Sequence, residues 1–191
     1  MTINPPQLDS STKSRIVERS DLITIIEVER NKGKRIVFAN GCFDILHVGH
    51  VRYLEAARAL GDLLIVGINS DRQTRRLKGA GRPLLPQEQR AEIISSIEAV
   101  DFVTIFEEPT VEQLLLALKP DIHAKGTDYT EDSVPERDVV RSFGGRVAIV
   151  GDPKDHSSSQ IIEKLAVSSE QKNRSNCSLP TAHCSLISCV F

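Results

Sequence analysis

Two histidines three residues apart, His47 and His50, stand in the stretch Asn40-Gly41-Cys42-Phe43-Asp44-Ile45-Leu46-His47-Val48-Gly49-His50. An apolar run with strand character, Arg35 to Ala39, leads into it. A helical pattern follows, with Val51, Leu54, Ala57 and Leu60 at helical spacing. Strand, tight turn and helix N-terminus form the geometry in which backbone N–H groups converge on a phosphate. Side chains three or four residues apart share one helix face. His47 and His50 are therefore a cation-capable pair beside the positive end of a helix, an arrangement for holding a polyphosphate. Gly49 between them leaves no side chain in the way of a close ligand. A lone histidine at a helix start fits a cap or a surface position as well as a catalyst. The strand, the Gly-x-Phe-Asp turn and the His-x-Gly-His spacing together favour a site.

That combination resembles the nucleotidyltransferase superfamily with the His-x-Gly-His signature, and its wording is most similar to the adenylyltransferases of ADP-heptose synthesis. The resemblance runs from about Lys34 to Leu165. It implies transfer of AMP from ATP to D-glycero-β-D-manno-heptose 1-phosphate, giving ADP-heptose and pyrophosphate for a lipopolysaccharide-core or related heptose pathway. His47, His50 and Lys125 would be the catalytic set, with Asn40, Gly41, Cys42, Phe43 and Gly49 around the nucleotide. The segment Lys125-Gly126-Thr127-Asp128-Tyr129 is similar to the Lys-Gly-Gly-Asp-Tyr segment that meets the nucleotide in this family, with Thr127 where many relatives have Gly. Ser157, Ser158 and Ser159 resemble the start of a Ser-Thr-x-Ile segment whose hydroxyls receive phosphates, although N-capping is a competing role. Ile162 stands where the wider superfamily often has an arginine. Asn69, Ser70 and Asp71, and the run from Lys78 through Arg82 to Pro83, resemble the segments that shape the sugar-phosphate side. Asp44 fits a turn or cap as well as substrate contact. Arg90, on the helix after Pro86, can reach the phosphates, whereas Arg72, Arg75 and Arg76 read as a solvated helix face and His123 as a strand residue.

Nucleotidyl transfer is an in-line attack on the α-phosphate in which charge spreads over equatorial oxygens, so it needs positioning and positive charge more than covalent help. A sugar phosphate is already an anion and requires no general base. A helix dipole contributes only about 0.3–1 kcal/mol at exposed sites, whereas losing one well-placed donor in a water-poor site costs on the order of 3–4 kcal/mol. The two histidines and the lysine should therefore dominate. Metal-ligand spacing is lacking; Mg²⁺ is expected to arrive with ATP, held by phosphates and water.

The elements that must carry these residues alternate. Strands are expected over Arg35–Ala39, Leu63–Ile68, Asp101–Phe106, Asp121–Lys125 and Arg146–Val150, and helices over 20–32, 51–60, 86–97, 110–118 and 136–143, with a last one from the serines to about Val167. Parallel neighbours need crossover helices, which predicts an α/β fold: a Rossmann-like, doubly wound, parallel five-stranded sheet in a single domain. Ligands bind such sheets outside the carboxyl ends of the strands. Four loops, 40–50, 69–82, 125–129 and 151–160, should share that edge. Neither Gly-x-Gly-x-x-Gly nor a Walker A sequence is present, which argues against a dinucleotide dehydrogenase or a P-loop NTPase. Residues 1–19 and 168–191 read as disordered tails flanking a domain over 20–167, with a helix at 20–32 and a core at 34–165.

With 191 residues, 40% apolar and 26% charged, the chain can bury a sizeable core. A formal net charge of −2, no Trp and few aromatics give no case for nucleic acid or an anionic membrane. No signal peptide and no apolar run near roughly 18 residues are present, so a cytoplasmic protein is expected. The four cysteines make no Cys-x-x-Cys pair. Relatives often carry a sugar kinase beside this activity; the chain has no room for one, so phosphorylation is expected of a separate protein. A homo-oligomer is left open. Two rivals stand: a CTP-dependent cytidylyltransferase acting on glycerol 3-phosphate or a phospho-alcohol, whose relatives usually read Gly-Thr-Phe-Asp, and a non-catalytic nucleotide-binding module.

Overall fold

Burial is written into the strands by alternation. In β1 (Ile36–Gly41), Ile36 and Phe38 point to one face while Val37 and Ala39 point to the other. Every residue of β2 (Leu63–Asn69) is buried, the pattern of a strand covered on both faces. The computed structural model describes residues 15–152. After α1 (Arg19–Asn31) and β1 come α2 (Val48–Arg58), β2, α3 (Asp71–Lys78), α4 (Gln87–Ser95), β3 (Phe102–Phe106), α5 (Glu112–Leu118), β4 (Ile122–Lys125), α6 (Arg137–Ser142) and β5 (Arg146–Ile149). The sheet is parallel throughout, in the order β3-β2-β1-β4-β5. The Rossmann-like expectation is met.

Two apolar layers sandwich the sheet. On one face Leu54 and Ala57 of α2 and Ala91 and Ile94 of α4 pack on Val37, Ala39, Leu64, Val66 and Ile122. On the other, Leu22 and Ile26 of α1, Leu114, Leu115 and Leu118 of α5 and Val140 of α6 cover Ile36, Phe38, Leu63 and Ile65. Gly67 belongs to this second face. A Cβ there would lie 2.7 Å from Cζ of Phe38 and 3.4 Å from Cδ2 of Leu114. Overpacking of this kind costs about 1–3 kcal/mol, so Gly67→Ala is expected to lower the urea midpoint by that equivalent. At the amino edge, Asp121 accepts from the Ile36 N–H at 2.7 Å and Asp101 from the Leu64 N–H at 2.7 Å, closing the starts of β1 and β2.

Several boundaries differ from expectation. The tail expected to reach residue 19 is already ordered at 15: Ile16 bridges Val103 in parallel, the Val17 N–H donates to the Val103 carbonyl at 2.8 Å, and Arg15 donates to the Val100 carbonyl at 3.1 Å. Edge strand β3 is thereby covered. Helix α2 begins at Val48 rather than Val51, because its first turn is half-exposed and apolar periodicity cannot detect it. The basic run after β2 forms α3, capped by Ser70, whose Oγ accepts from the Gln73 N–H. The expected last helix, the Ser157–Ser159 segment and the tail 168–191 lie outside the described residues. No helix among the described residues is long and apolar enough to cross a membrane.

Candidate active site

The chain runs outward from β1 to β3 and then returns to add β4 and β5 on the other side, so strand order reverses between β1 and β4. The crevice outside their carboxyl ends is where such sheets bind ligands. Ala39 of β1 and Ala124 of β4 are in register, which sets Asn40 beside Lys125 at that point. Lys125 Nζ donates to Asn40 Oδ1 at 3.1 Å and lies 3.3 Å from Glu136 Oε2. It also stands 5.3 Å from the centroid of the Tyr129 ring. Burial pushes the Lys125 ammonium below its ordinary range, and Glu136 opposes that push.

His123 occupies the second acceptor position of the same amide, its Nε2 3.0 Å from Asn40 Oδ1. An ammonium can only donate, so the atom facing Lys125 is the amide oxygen, and His123 Nε2 must carry the proton. The Asn40 NH₂ group is turned away from both. His123 is fully buried, which depresses its basicity, and its Nδ1 has no hydrogen-bond partner among the described residues.

The turn after β1 aims the histidines. Phe43 sits at φ 46°, in the left-handed region that a non-glycine residue enters only under strain. That conformation lays the Phe43 ring against Gly41, where a Cβ would come within 3.1 Å of it, and edge-on to His50 at a centroid distance of 5.3 Å. His47 is the N-cap residue of α2, and its ring lies 3.9 Å from that of His50. The His47 N–H donates to His50 Nδ1 at 3.3 Å, which leaves the proton on Nε2. Burial, His47 and Lys78 lower the His50 pKa to about 4. The pair expected to be cation-capable thus contains a neutral donor at His50. Lys78, the last residue of α3, is the smallest of these influences on His50.

Other charged residues expected to face substrate are tied to one another. Asp44, 3% exposed, accepts from the Leu84 N–H at 2.6 Å and pairs with Arg82 Nε at 2.6 Å. The buried Arg90 guanidinium, expected at the phosphates, donates to the carbonyls of Leu85 (3.0 Å), Cys42 and Asn69 (2.9 Å) and to Asp71 Oδ1 (2.7 Å). It is occupied by the protein itself because burial demands a partner for every donor. Asn69, buried at the end of β2, lies with Oδ1 3.9 Å from Cys42 Sγ. After β4, the Tyr129 N–H turns back to the Gly126 carbonyl at 3.1 Å. A Cβ on Gly126 would meet nothing within 4 Å, so fold packing does not require the glycine. The Thr127 hydroxyl donates to the Asp152 carbonyl at 2.7 Å, a tie between the β4 and β5 loops that glycine could not make. Asp128 shares this loop, and Gly49 lies in the first turn of α2.

Sequence reasoning missed His123 as a site residue, and it missed Glu136. A histidine inside the apolar strand Ile-His-Ala-Lys was a detectable signal; Glu136 had none, since only the fold brings it to Lys125. Among the described residues, no group of three or more His, Cys, Asp or Glu side chains is placed to hold a metal ion.

A family model described as cytidylyltransferase-like matches residues 38–177. The chain is 51% identical over 156 residues to the bifunctional protein HldE of Pelobacter propionicus, covering 82% of this chain and 32% of that protein. It is 48% identical over 158 residues to the protein of the same name from Syntrophotalea carbinolica, covering 83% and 32%. The chain therefore spans about a third of the length of these curated relatives. Among solved structures, the lipopolysaccharide core biosynthesis protein of Thermoplasma volcanium superposes with a TM-score of 0.54 at 32% identity, covering 62% of this chain and 95% of that one.

Proposed function

The chain belongs to the cytidylyltransferase-like family, and within it we propose an adenylyltransferase that joins AMP from ATP to D-glycero-β-D-manno-heptose 1-phosphate, releasing pyrophosphate and forming ADP-heptose. The observation that carries the reading is the crevice at the strand-order reversal, where the His47–His50 pair and the Lys125 ammonium stand at the carboxyl ends of β1 and β4. Likeness to the HldE proteins over about four fifths of the chain supports the heptose branch over glycerol 3-phosphate. So does Cys42, where the cytidylyltransferase rivals usually have Thr.

In this mechanism the sugar phosphate oxygen attacks the α-phosphorus of ATP, the bond to the β-phosphate oxygen breaks, and no proton has to be removed. His50 Nε2–H and His47 hold phosphate oxygens whose charge grows along the path, and the Lys125 ammonium donates to the same oxygens. Asn40, Gly41, Cys42, Phe43, Gly49, Gly126, Asp128 and Tyr129 form the nucleotide side. Asn69, Asp71, Lys78 and Arg82 line the acceptor side, while Asp44 and Arg90 serve it by holding its loops. Mg²⁺ accompanies ATP on the phosphates, which suits a site whose carboxylates Asp44 and Glu136 are already paired with cations. A kinase outside this domain supplies the sugar 1-phosphate, and both substrates place the reaction in the cytoplasm.

Pyrophosphate release, measured with ATP or CTP, Mg²⁺ and a panel of phosphorylated acceptors, tests the proposal. Release with ATP and heptose 1-phosphate alone is the expected result. Release with CTP and glycerol 3-phosphate would overturn the substrate while leaving the mechanism, and ATP binding without release from any pair would overturn the catalytic reading.

A further inference from the structure

Glu136 has no place in the chemistry above, yet it is 9% exposed and directed at the site from the turn that precedes α6. Its Oε2 is 3.3 Å from Lys125 Nζ. An ammonium has three donors. Asn40 Oδ1 takes one, and Glu136 Oε2 faces the ammonium as its counter-ion without forming a hydrogen bond to it. We infer that Glu136 is a positioning residue for nucleotidyl transfer, a buried counter-ion that keeps the Lys125 ammonium charged at the β1–β4 crevice. The inference rests on the functional reading above for what enters the crevice, although not for the pairing itself.

The surroundings of Lys125 single out Glu136. From β1 comes Asn40, which is neutral. From its own strand comes His123, which burial keeps neutral and which adds no negative charge. From the loop after β4 comes the Tyr129 ring, 5.3 Å away, and the same loop carries Asp128. From α2 comes Tyr53, whose hydroxyl donates to the Ala124 carbonyl at 2.9 Å. Among the described residues, the carboxylate recorded in an ion pair with Lys125 is Glu136. A buried ammonium that loses its counter-ion becomes easier to deprotonate, because desolvation then acts unopposed. The protonated form is the active one in this mechanism. Removing the carboxylate should therefore pull the alkaline limb of activity to lower pH rather than merely lower its height.

The test uses the full chain as wild type, Glu136→Gln and Glu136→Asp. The Lys125 side chain is followed by NMR through its Cε and Nζ signals, assigned by their loss in Lys125→Arg, while kcat/KM for ATP is measured against pH. Glu136→Gln preserves volume, so its titration midpoint at Lys125 is expected to fall by about one unit or more, and the alkaline limb by the same distance. Glu136→Asp should recover most of both shifts. A Lys125 midpoint unmoved in Glu136→Gln would overturn the inference, and so would a shifted midpoint with an unshifted limb. Wild-type protein that releases no pyrophosphate would sink the functional reading alone, because the NMR titration still decides whether Glu136 holds Lys125.

Discussion

His50→Ala is expected to lower kcat for pyrophosphate release by about 10²–10³-fold, the cost of deleting one preorganised donor in a water-poor site. The expectation follows from the state of the ring. Its Nδ1 accepts the His47 N–H, so the group offered to a ligand is a neutral Nε2–H held against the Phe43 edge and the His47 face. A neutral donor should be partly replaceable by another one. His50→Gln is expected to recover activity relative to His50→Ala, and His50→Lys should not, since the pocket already depresses positive charge at this position. An alanine variant within threefold of wild type would refute the role.

The same burial has a consequence for stability. The His50 pKa is about 4 in the folded protein against 6.5 for an ordinary histidine. Between those values the unfolded chain takes up a proton that the folded one refuses. Stability is therefore full above pH 6.5 and declines as the pH falls toward 4, by roughly 3 kcal/mol from this residue. His123, depressed in the same direction, adds to the decline. Activity should show no limb near pH 6.5 from His50, while urea midpoints fall through that range. His50→Gln should flatten the midpoint slope.

The layout was legible in the sequence because a parallel sheet covered on both faces is spelled in uninterrupted apolar runs, such as Leu63–Ile68, bounded by Asp62 and Asn69. Helix starts were less so. Val48 is exposed, so the first turn of α2 carries no apolar signature, and the structure had to supply the N-cap position of His47. The site was legible where a motif constrains the backbone, at Asn40–His50, and much less so where it depends on which charges meet. Asp44, Asp71, Arg82 and Arg90 stand out in sequence as polar residues near the motifs, but they neutralise one another in two ion pairs. Pairing is a property of three-dimensional approach, and nothing in residue spacing separates a charge that meets a ligand from one that meets a loop. The same limit hid Glu136, whose 11-residue separation from Lys125 spans the Gly126–Tyr129 turn and a 3₁₀ helix at Glu131–Ser133.

Arg90 illustrates how much structure one such charge can hold. Its Nε donates to the loop before α4, one terminal nitrogen to the Cys42 carbonyl after β1, and the other to the Asn69 carbonyl and Asp71 at the junction of β2 and α3. Three chain segments at the crevice are thus registered by one planar fork. Arg90→Met fills similar volume but strands buried carbonyls and the Asp71 carboxylate. Orphaned acceptors cost about 1–3 kcal/mol each, and with Asp71 35% exposed the carbonyls carry most of a loss that is a large share of the 5–15 kcal/mol that typically separates folded from unfolded. Urea unfolding should show that loss. Arg90→Lys restores the charge without the fork; an ammonium aimed at Asp71 leaves one or two of the carbonyls unpaired, for a smaller loss of about 1–3 kcal/mol. A purely electrostatic role would make the lysine variant equal to wild type. A role at the nucleotide phosphates would instead leave the unfolding midpoints of both variants unchanged and raise only KM for ATP. Because all four bonds end on the protein, the expected order of stability is wild type, then Arg90→Lys, then Arg90→Met, with activity falling in the same order as the loops carrying Asn69 and Asp71 lose their register.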